Sequence, residues 1–173
     1  YYLSQVDDVL SVYNLALAQG KKPFVFGVSY ALLDLAELGS KLPQALILET
    51  GGMKGRRQEL TKVELHQILR EGFGVQQILS EYGMTELLSQ AYCISDQNFS
   101  CPPWMQIRIR DAYDPFQEVP FGQKGGVNVI DLANQNSCAF VQTDDLGRLT
   151  PQGFLLEGRL EASDIRGCNQ LVD

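Results

Sequence analysis

Within six consecutive residues, Glu81-Tyr82-Gly83-Met84-Thr85-Glu86, the sequence sets an aromatic face, a hydroxyl and a carboxylate beside a glycine. Such a group suits stacking on a base, touching a phosphate oxygen and holding a hard cation, which prefers oxygen ligands and shares them with phosphates. The same residues also read as a glycine turn followed by a helix whose first turn holds an acidic residue favoured by the helix dipole. Spacing alone leaves both readings open. Two further segments, Gly27-Val28-Ser29 and Glu49-Thr50-Gly51-Gly52-Met53-Lys54-Gly55-Arg56-Arg57, carry glycines that let backbone amides approach a ligand closely.

These segments need a scaffold, and the apolar pattern supplies one. Leu3, Val6, Leu10, Tyr13 and Leu17 recur at steps of three and four, which predicts a helix ending near Gly20. Pro23 to Val28 is a short apolar, aromatic and β-branched run that predicts a strand, followed by a helix over Tyr30 to Leu38. Ala45-Leu46-Ile47-Leu48 reads as a buried strand. Thr61-Lys62-Val63-Glu64 has capping-box spacing for a helix running to about Glu71, and a third strand is expected at Val75 to Leu79. Strands alternating with helices imply parallel pairing with right-handed crossovers. In such an open sheet, ligands sit beyond the carboxyl ends of the strands, where the three glycine segments fall. His66 lies inside the capped helix and reads as a surface or packing residue.

After Cys101-Pro102-Pro103 the character changes. Trp104 to Arg110, Gly126 to Leu132, Ser137 to Thr143 and Phe154 to Leu160 are strand-like runs separated by Gly, Pro, Asn and Asp. The fold class expected is therefore α/β: an open parallel sheet segment with flanking helices over residues 1–100, followed by a small β-rich, barrel-like subdomain over residues 101–173. A chain of 173 residues with 45% hydrophobic and 20% charged residues can bury such a core without a metal or disulfide staple.

The net charge of -7 argues against a nucleic-acid partner, whose phosphates need clustered Lys and Arg. No apolar run approaches the roughly 20 residues of a bilayer span. Cys93, Cys101, Cys138 and Cys168 lack paired metal-ligand spacing, and they read as reduced thiols in a cytoplasmic protein. Tyr1 opens in the middle of a helical pattern, so a piece of a longer protein is expected, inactive by itself.

Glu81 to Glu86 resembles the YGxTE motif of the adenylate-forming superfamily of acyl-CoA synthetases, nonribosomal peptide adenylation domains and luciferases. Thr143-Asp144-Asp145-Leu146-Gly147-Arg148, then Gly158-Arg159-Leu160-Glu161 and Ile165-Arg166-Gly167, is similar in order and spacing to that superfamily's TGDLGR, GRxD and KIRG series. Glu49 to Arg56 and Arg166-Gly167-Cys168 look most like acyl-protein synthetases, the fatty-acid-activating subunits of bacterial bioluminescence reductases, and their relatives. The resemblance extends from about residue 24 onward.

The resemblance implies ATP-dependent activation of a carboxylic (fatty) acid to an acyl adenylate, with ATP and Mg2+ bound, and transfer to a thiol. It implies that Tyr82 stacks on adenine, Gly51, Gly52 and Gly83 line the nucleotide, Thr85 contacts phosphate and Glu86 holds Mg2+. Asp145 would accept hydrogen bonds from the ribose hydroxyls and Arg159 would lie against ribose and phosphate, roles that suit a carboxylate and a guanidinium fork. Without the resemblance, Asp145 reads as a turn residue and Arg159 as a salt-bridged strand residue. Lys54, Arg56 and Arg57 either balance ATP or an acyl carboxylate or occupy a solvated turn. Cys168 is the acyl acceptor by resemblance, or else a small buried filler. An acyl-CoA reductase or another thiol acceptor is the partner implied.

Three departures stand out. Asp144 occupies a position usually held by Gly, Glu161 replaces the usual Asp, and neither the phosphate loop nor a carboxy-terminal domain with a catalytic Lys is present in the sequence. Two alternatives remain: transfer to coenzyme A, as in phenylacetate-type ligases, and a non-catalytic nucleotide-binding or interaction module.

Overall fold

The computed structural model describes residues 6–51, 60–94 and 97–160. The fold is α/β, with a parallel segment followed by mostly antiparallel strands, and it divides into two compact units. The first comprises the chain through Tyr82 together with Cys93–Gln97; the second comprises Gly83–Tyr92 and the chain from Asn98 onward.

In the first unit, helix α1 (Val6–Ala18) precedes strand β1 (Phe24–Val28), helix α2 (Ser29–Glu37), strand β2 (Leu46–Thr50), helix α3 (Lys62–Phe73) and strand β3 (Ile78–Tyr82). The strands are parallel in the order β1-β2-β3, with Val25 beside Ile47 and Ile47 beside Ile78. Leu32, Leu33 and Ala36 of α2 and Leu65, Leu69 and Phe73 of α3 bury their apolar stripes with Ile47 and Ile78, while Tyr13 joins from α1. Leu69 and Phe73 are fully buried, so truncating either to Ala costs on the order of 2–5 kcal/mol.

The expected capping box is present: the Thr61 amide donates to Glu64 Oε2 at 2.9 Å and the Glu64 amide to Thr61 Oγ1 at 3.3 Å. Helix α3 ends at Gly74, whose φ of 72° places it in the left-handed region that glycine adopts without strain. That turn corrects the third strand, expected at Val75 to Leu79. Val75 is consumed as a core residue, and pairing with β2 starts only at Ile78, so Ser80, Glu81 and Tyr82 belong to strand rather than loop.

Strand β4 (Ala91–Cys93) straddles the division between the units. In the second unit, β5 (Phe99–Ser100), β6 (Met105–Arg110), β7 (Gly125–Asp131), β8 (Phe140–Thr150) and β9 (Gly153–Arg159) form an antiparallel series in the order β5-β9-β8-β7-β6, which does not close on itself. Alternate residues Met105, Ile107, Ile109 and Val127, Val129 point into the core, and the rings of Phe99 and Phe154 stack at 5.4 Å. Strand β8 runs well past the expected end at Thr143. Irregularities between Gly126 and Asn128 and between Leu146 and Gly147 absorb the Asp and Gly residues that made the segment read as a turn.

Among the described residues no helix is long and apolar enough to cross a membrane.

Candidate functional site

Glu49 lies in β2, in an otherwise apolar run, and is completely buried. A carboxylate there must be compensated, and four polar side chains do so. Ser29, the first residue of α2, sets its hydroxyl 2.9 Å from Glu49 Oε2 and 2.9 Å from the carbonyl oxygen of Gly51. Ser80 of β3 and Lys62 of α3 donate to Glu49 Oε1, and His66 Nε2 stands 3.5 Å from the same oxygen and 2.9 Å from Ser80 Oγ. Burial pushes the Glu49 carboxyl up, but the hydrogen bond from His66, the Lys62 charge and hydrogen bond, and the Ser80 hydroxyl outweigh it and hold its pKa down at about 2. His66 is therefore neither on the surface nor simply packed: it is buried and hydrogen-bonded.

Gly51 leaves β2 with a φ of 71° and is exposed, while its carbonyl is secured through Ser29. Gly52, Lys54, Arg56 and Arg57 lie outside the described residues, as do Glu161, Arg166 and Cys168.

The Glu81–Glu86 motif is split by the end of β3. Tyr82 is the last residue of that strand, with 7% of its surface exposed. The side chain of Glu81, beside Thr50 in the parallel register, accepts from Thr50 Oγ1 at 3.1 Å. Gly83, Thr85 and Glu86 are exposed, and Thr85 Oγ1 donates to Glu86 Oε2 at 3.2 Å.

No helix follows, which corrects that alternative. The Leu87 amide closes a turn on Met84 O at 3.1 Å, and the next two amides go elsewhere: Leu88 N and Ser89 N donate to Asp131 Oδ2 at 2.9 and 2.8 Å. Asp131 Oδ1 also accepts from Ser89 Oγ at 2.7 Å and from Ala133 N at 3.1 Å. Burial raises the Asp131 pKa, and these donors more than offset it, so the carboxyl titrates below its ordinary range.

Asp145 and Arg159 face each other in the β8–β9 register, with Arg159 Nε 3.2 Å from Asp145 Oδ1. The guanidinium is largely exposed, so the pair is open to solvent and to a ligand. Behind it the backbone is held: Asp145 N donates to Thr143 Oγ1 at 3.1 Å, and that hydroxyl donates to Val127 O at 2.8 Å. Arg110 is buried and reaches from β6 across β7 to Thr143 O at 2.9 Å. Gly126 permits this crossing, since a Cβ there would lie 2.0 Å from Arg110 Nη1. Asp144 is exposed, and its carbonyl accepts from Leu160 N at 2.7 Å.

The Glu49 cluster, Asp131 and Arg110 all escape a reading based on loops. A signal existed for each: Glu49, Asp131 and Arg110 are charged residues within or ending apolar strands, where burial demands partners. Lys62 adds another, because a cation in the first turn of a helix opposes the dipole unless a carboxylate is near.

Among the described residues no group of three or more His, Cys, Asp and Glu side chains could hold a metal ion. A magnesium ion shared with phosphates needs only one or two protein carboxylates, and the exposed Glu86 beside the Thr85 hydroxyl meets that requirement.

No protein-family model matches the sequence, and no curated protein matches it. Solved structures do. The chain is similar to MatB from Rhodopseudomonas palustris in its apo form, with a TM-score of 0.62 and 18% identity, and with ATP bound, with a TM-score of 0.64 and 18% identity; each match covers 90% of this chain and 33% of that one. It is also similar to O-succinylbenzoate Coenzyme A Synthetase (MenE) from Bacillus subtilis in complex with ATP and magnesium ion, with a TM-score of 0.60 and 23% identity over 90% of this chain and 34% of that one. The chain thus spans about a third of the length of these proteins, and at such identity the likeness is one of fold.

Proposed function

We propose that this chain is part of an AMP-forming acyl-activating enzyme and supplies base, ribose and metal contacts for the nucleotide. The observation that carries the reading is the Asp145–Arg159 pair: two separate motif segments meet on neighbouring strands, in a fold like that of ATP-bound MatB. In this reading Asp145 accepts from the ribose hydroxyls and Arg159 lies along ribose and phosphate. Gly51, Gly52 and Gly83 leave room for the nucleotide, and Tyr82 contacts adenine. Thr85 donates to phosphate, Glu86 binds Mg2+, and Lys54 offsets negative charge. Magnesium, when bound, supplies charge neutralisation for the phosphates.

The reaction consistent with these roles is attack of a substrate carboxylate oxygen on the α-phosphorus of ATP. The new P–O bond forms as the bond to the bridging oxygen breaks, pyrophosphate leaves with the electron pair, and an acyl adenylate remains. Positioning and electrostatic stabilisation carry most of such a step. A thiolate then attacks the acyl carbonyl and AMP departs, leaving a thioester. We assign the thiol to Cys168, with a fatty acid as the acid and an acyl-CoA reductase as the downstream partner, on the resemblance of the sequence to acyl-protein synthetases.

Coenzyme A as the acceptor is the second reading, favoured by the likeness to O-succinylbenzoate Coenzyme A Synthetase. The test is pyrophosphate exchange into ATP by the full natural protein with a panel of carboxylic acids. Acid-dependent exchange is expected. No exchange with any acid, together with no thermal shift from an acyl-AMP analogue, would leave a non-catalytic module as the better reading.

A further inference from the structure

The turn bearing Thr85 and Glu86 has little of its own to hold it. Both residues are exposed, and the turn's own backbone closure is the Leu87–Met84 hydrogen bond. Its fastening comes from a segment more than forty residues later. Asp131, the last residue of β7, is fully buried and takes the amides of Leu88 and Ser89 with one oxygen and the Ser89 hydroxyl with the other. Trp104 Nε1 donates to the same Ser89 hydroxyl at 2.9 Å, so that oxygen both gives and receives. Asn134, buried in the 3-10 turn Leu132–Asn134, spends its two amide hydrogens on Glu86 O at 2.7 Å and Cys138 O at 2.9 Å. The carbonyl of Glu86 is thereby fixed, while its exposed carboxylate accepts from the neighbouring Thr85 hydroxyl and can face a ligand.

Several features argue for more than generic loop stability. A buried carboxylate that accepts four donors is a costly arrangement unless every donor is aimed at it. Here three of the four donors come from Leu88 and Ser89, and the Asn134 contact falls on the residue that the nucleotide reading assigns to the metal. The segment is also diverted from a helix, which would have turned residues 86–89 around an axis and carried Glu86 with it.

We propose that Asp131 and Asn134 are positioning residues that hold the Thr85–Glu86 turn in place for the phosphates of a nucleotide and their divalent cation. This rests on the nucleotide reading above. Neither residue touches the ligand; each acts through the backbone of the turn.

The test uses the full natural protein and its Asn134→Ala and Asp131→Asn variants, the first keeping the proposal open to refutation should the second fail to fold. Binding of ATP with Mg2+ and of AMP without metal is measured by calorimetry, and exchange of the Leu88 and Ser89 amides by NMR or mass spectrometry. Asn134→Ala should melt within a few degrees of the unaltered protein, lose about tenfold in affinity for ATP with Mg2+, and bind metal-free AMP as before. Asp131→Asn should speed exchange at Leu88 and Ser89. Unchanged affinity for ATP with Mg2+, or equal losses with and without the metal, would overturn the proposal. Failure of the unaltered protein to bind any nucleotide would overturn the nucleotide reading instead, and the exchange rates would still decide whether Asp131 anchors the turn.

Discussion

Asp145 and Arg159 stand opposite one another on neighbouring antiparallel strands, 3.2 Å apart, with the guanidinium far more exposed than the carboxylate. An ion pair so open to water contributes little to folding, at most about 1 kcal/mol. Arg159→Ala should therefore leave the urea midpoint nearly unchanged. If the pair serves a nucleotide, the same variant should weaken AMP binding roughly tenfold or more, because charge-assisted hydrogen bonds to phosphate are lost. A large loss of stability with unchanged AMP affinity would show the pair to be a brace between strands.

Glu49 should make the protein acid-sensitive in a definite window. Its folded-state pKa of about 2 lies below its ordinary 4.5, so its contribution is fully present above about 4.5 and is lost as pH falls toward 2. Among the described residues, the charged and titratable groups facing it are Lys62 and His66. Glu49→Gln should flatten stability against pH across that window while lowering stability near neutrality. Urea titrations at a series of pH values would check this, and parallel curves for the two proteins would refute it.

Arg110 and Gly126 should be energetically coupled. Gly126→Ala drives a methyl into the buried guanidinium and should cost roughly 1–3 kcal/mol. Arg110→Ala removes the group that would be struck, so the double variant should be less destabilised than the two single effects combined. Additivity in a denaturation cycle would show that the two do not compete for the same space.

The acceptor role proposed for Cys168 has a direct test. After incubation of the full natural protein with acid, ATP and Mg2+, intact-mass spectrometry should find a hydroxylamine-sensitive acyl adduct that Cys168→Ser abolishes. An undiminished adduct in that variant would remove Cys168 from the mechanism, and free acyl-CoA without any adduct would favour coenzyme A.

Local rules made much of the first unit readable. The Thr61–Glu64 capping box, the apolar stripe of α1 and the short run at β1 appear where periodicity and propensity put them, because each depends on neighbours a few residues away. Strand β2 lies on its expected run but continues through Glu49 and Thr50, which read as loop in the sequence. Asp145 and Arg159 are candidates through the motif resemblance, and the salt-bridged strand position read for Arg159 without it is the one observed. That Asp145 is the partner was not legible, since it depends on the β8–β9 register and on an irregularity at Leu146–Gly147.

What the sequence by itself determined, then, is a set of elements and a set of residue types able to handle a nucleotide. Tertiary structure alone decided three things. It placed Glu49 at the meeting point of Ser29, Lys62, His66 and Ser80; it made the segment after Tyr82 a turn tied to Asp131 and Asn134 rather than a helix; and it passed Arg110 over Gly126 to brace Thr143. The reason is common to all three. A buried charge or an unpaired amide must find partners wherever the fold brings them, and those partners lie from 13 to 48 residues away in the chain, beyond the reach of any local pattern.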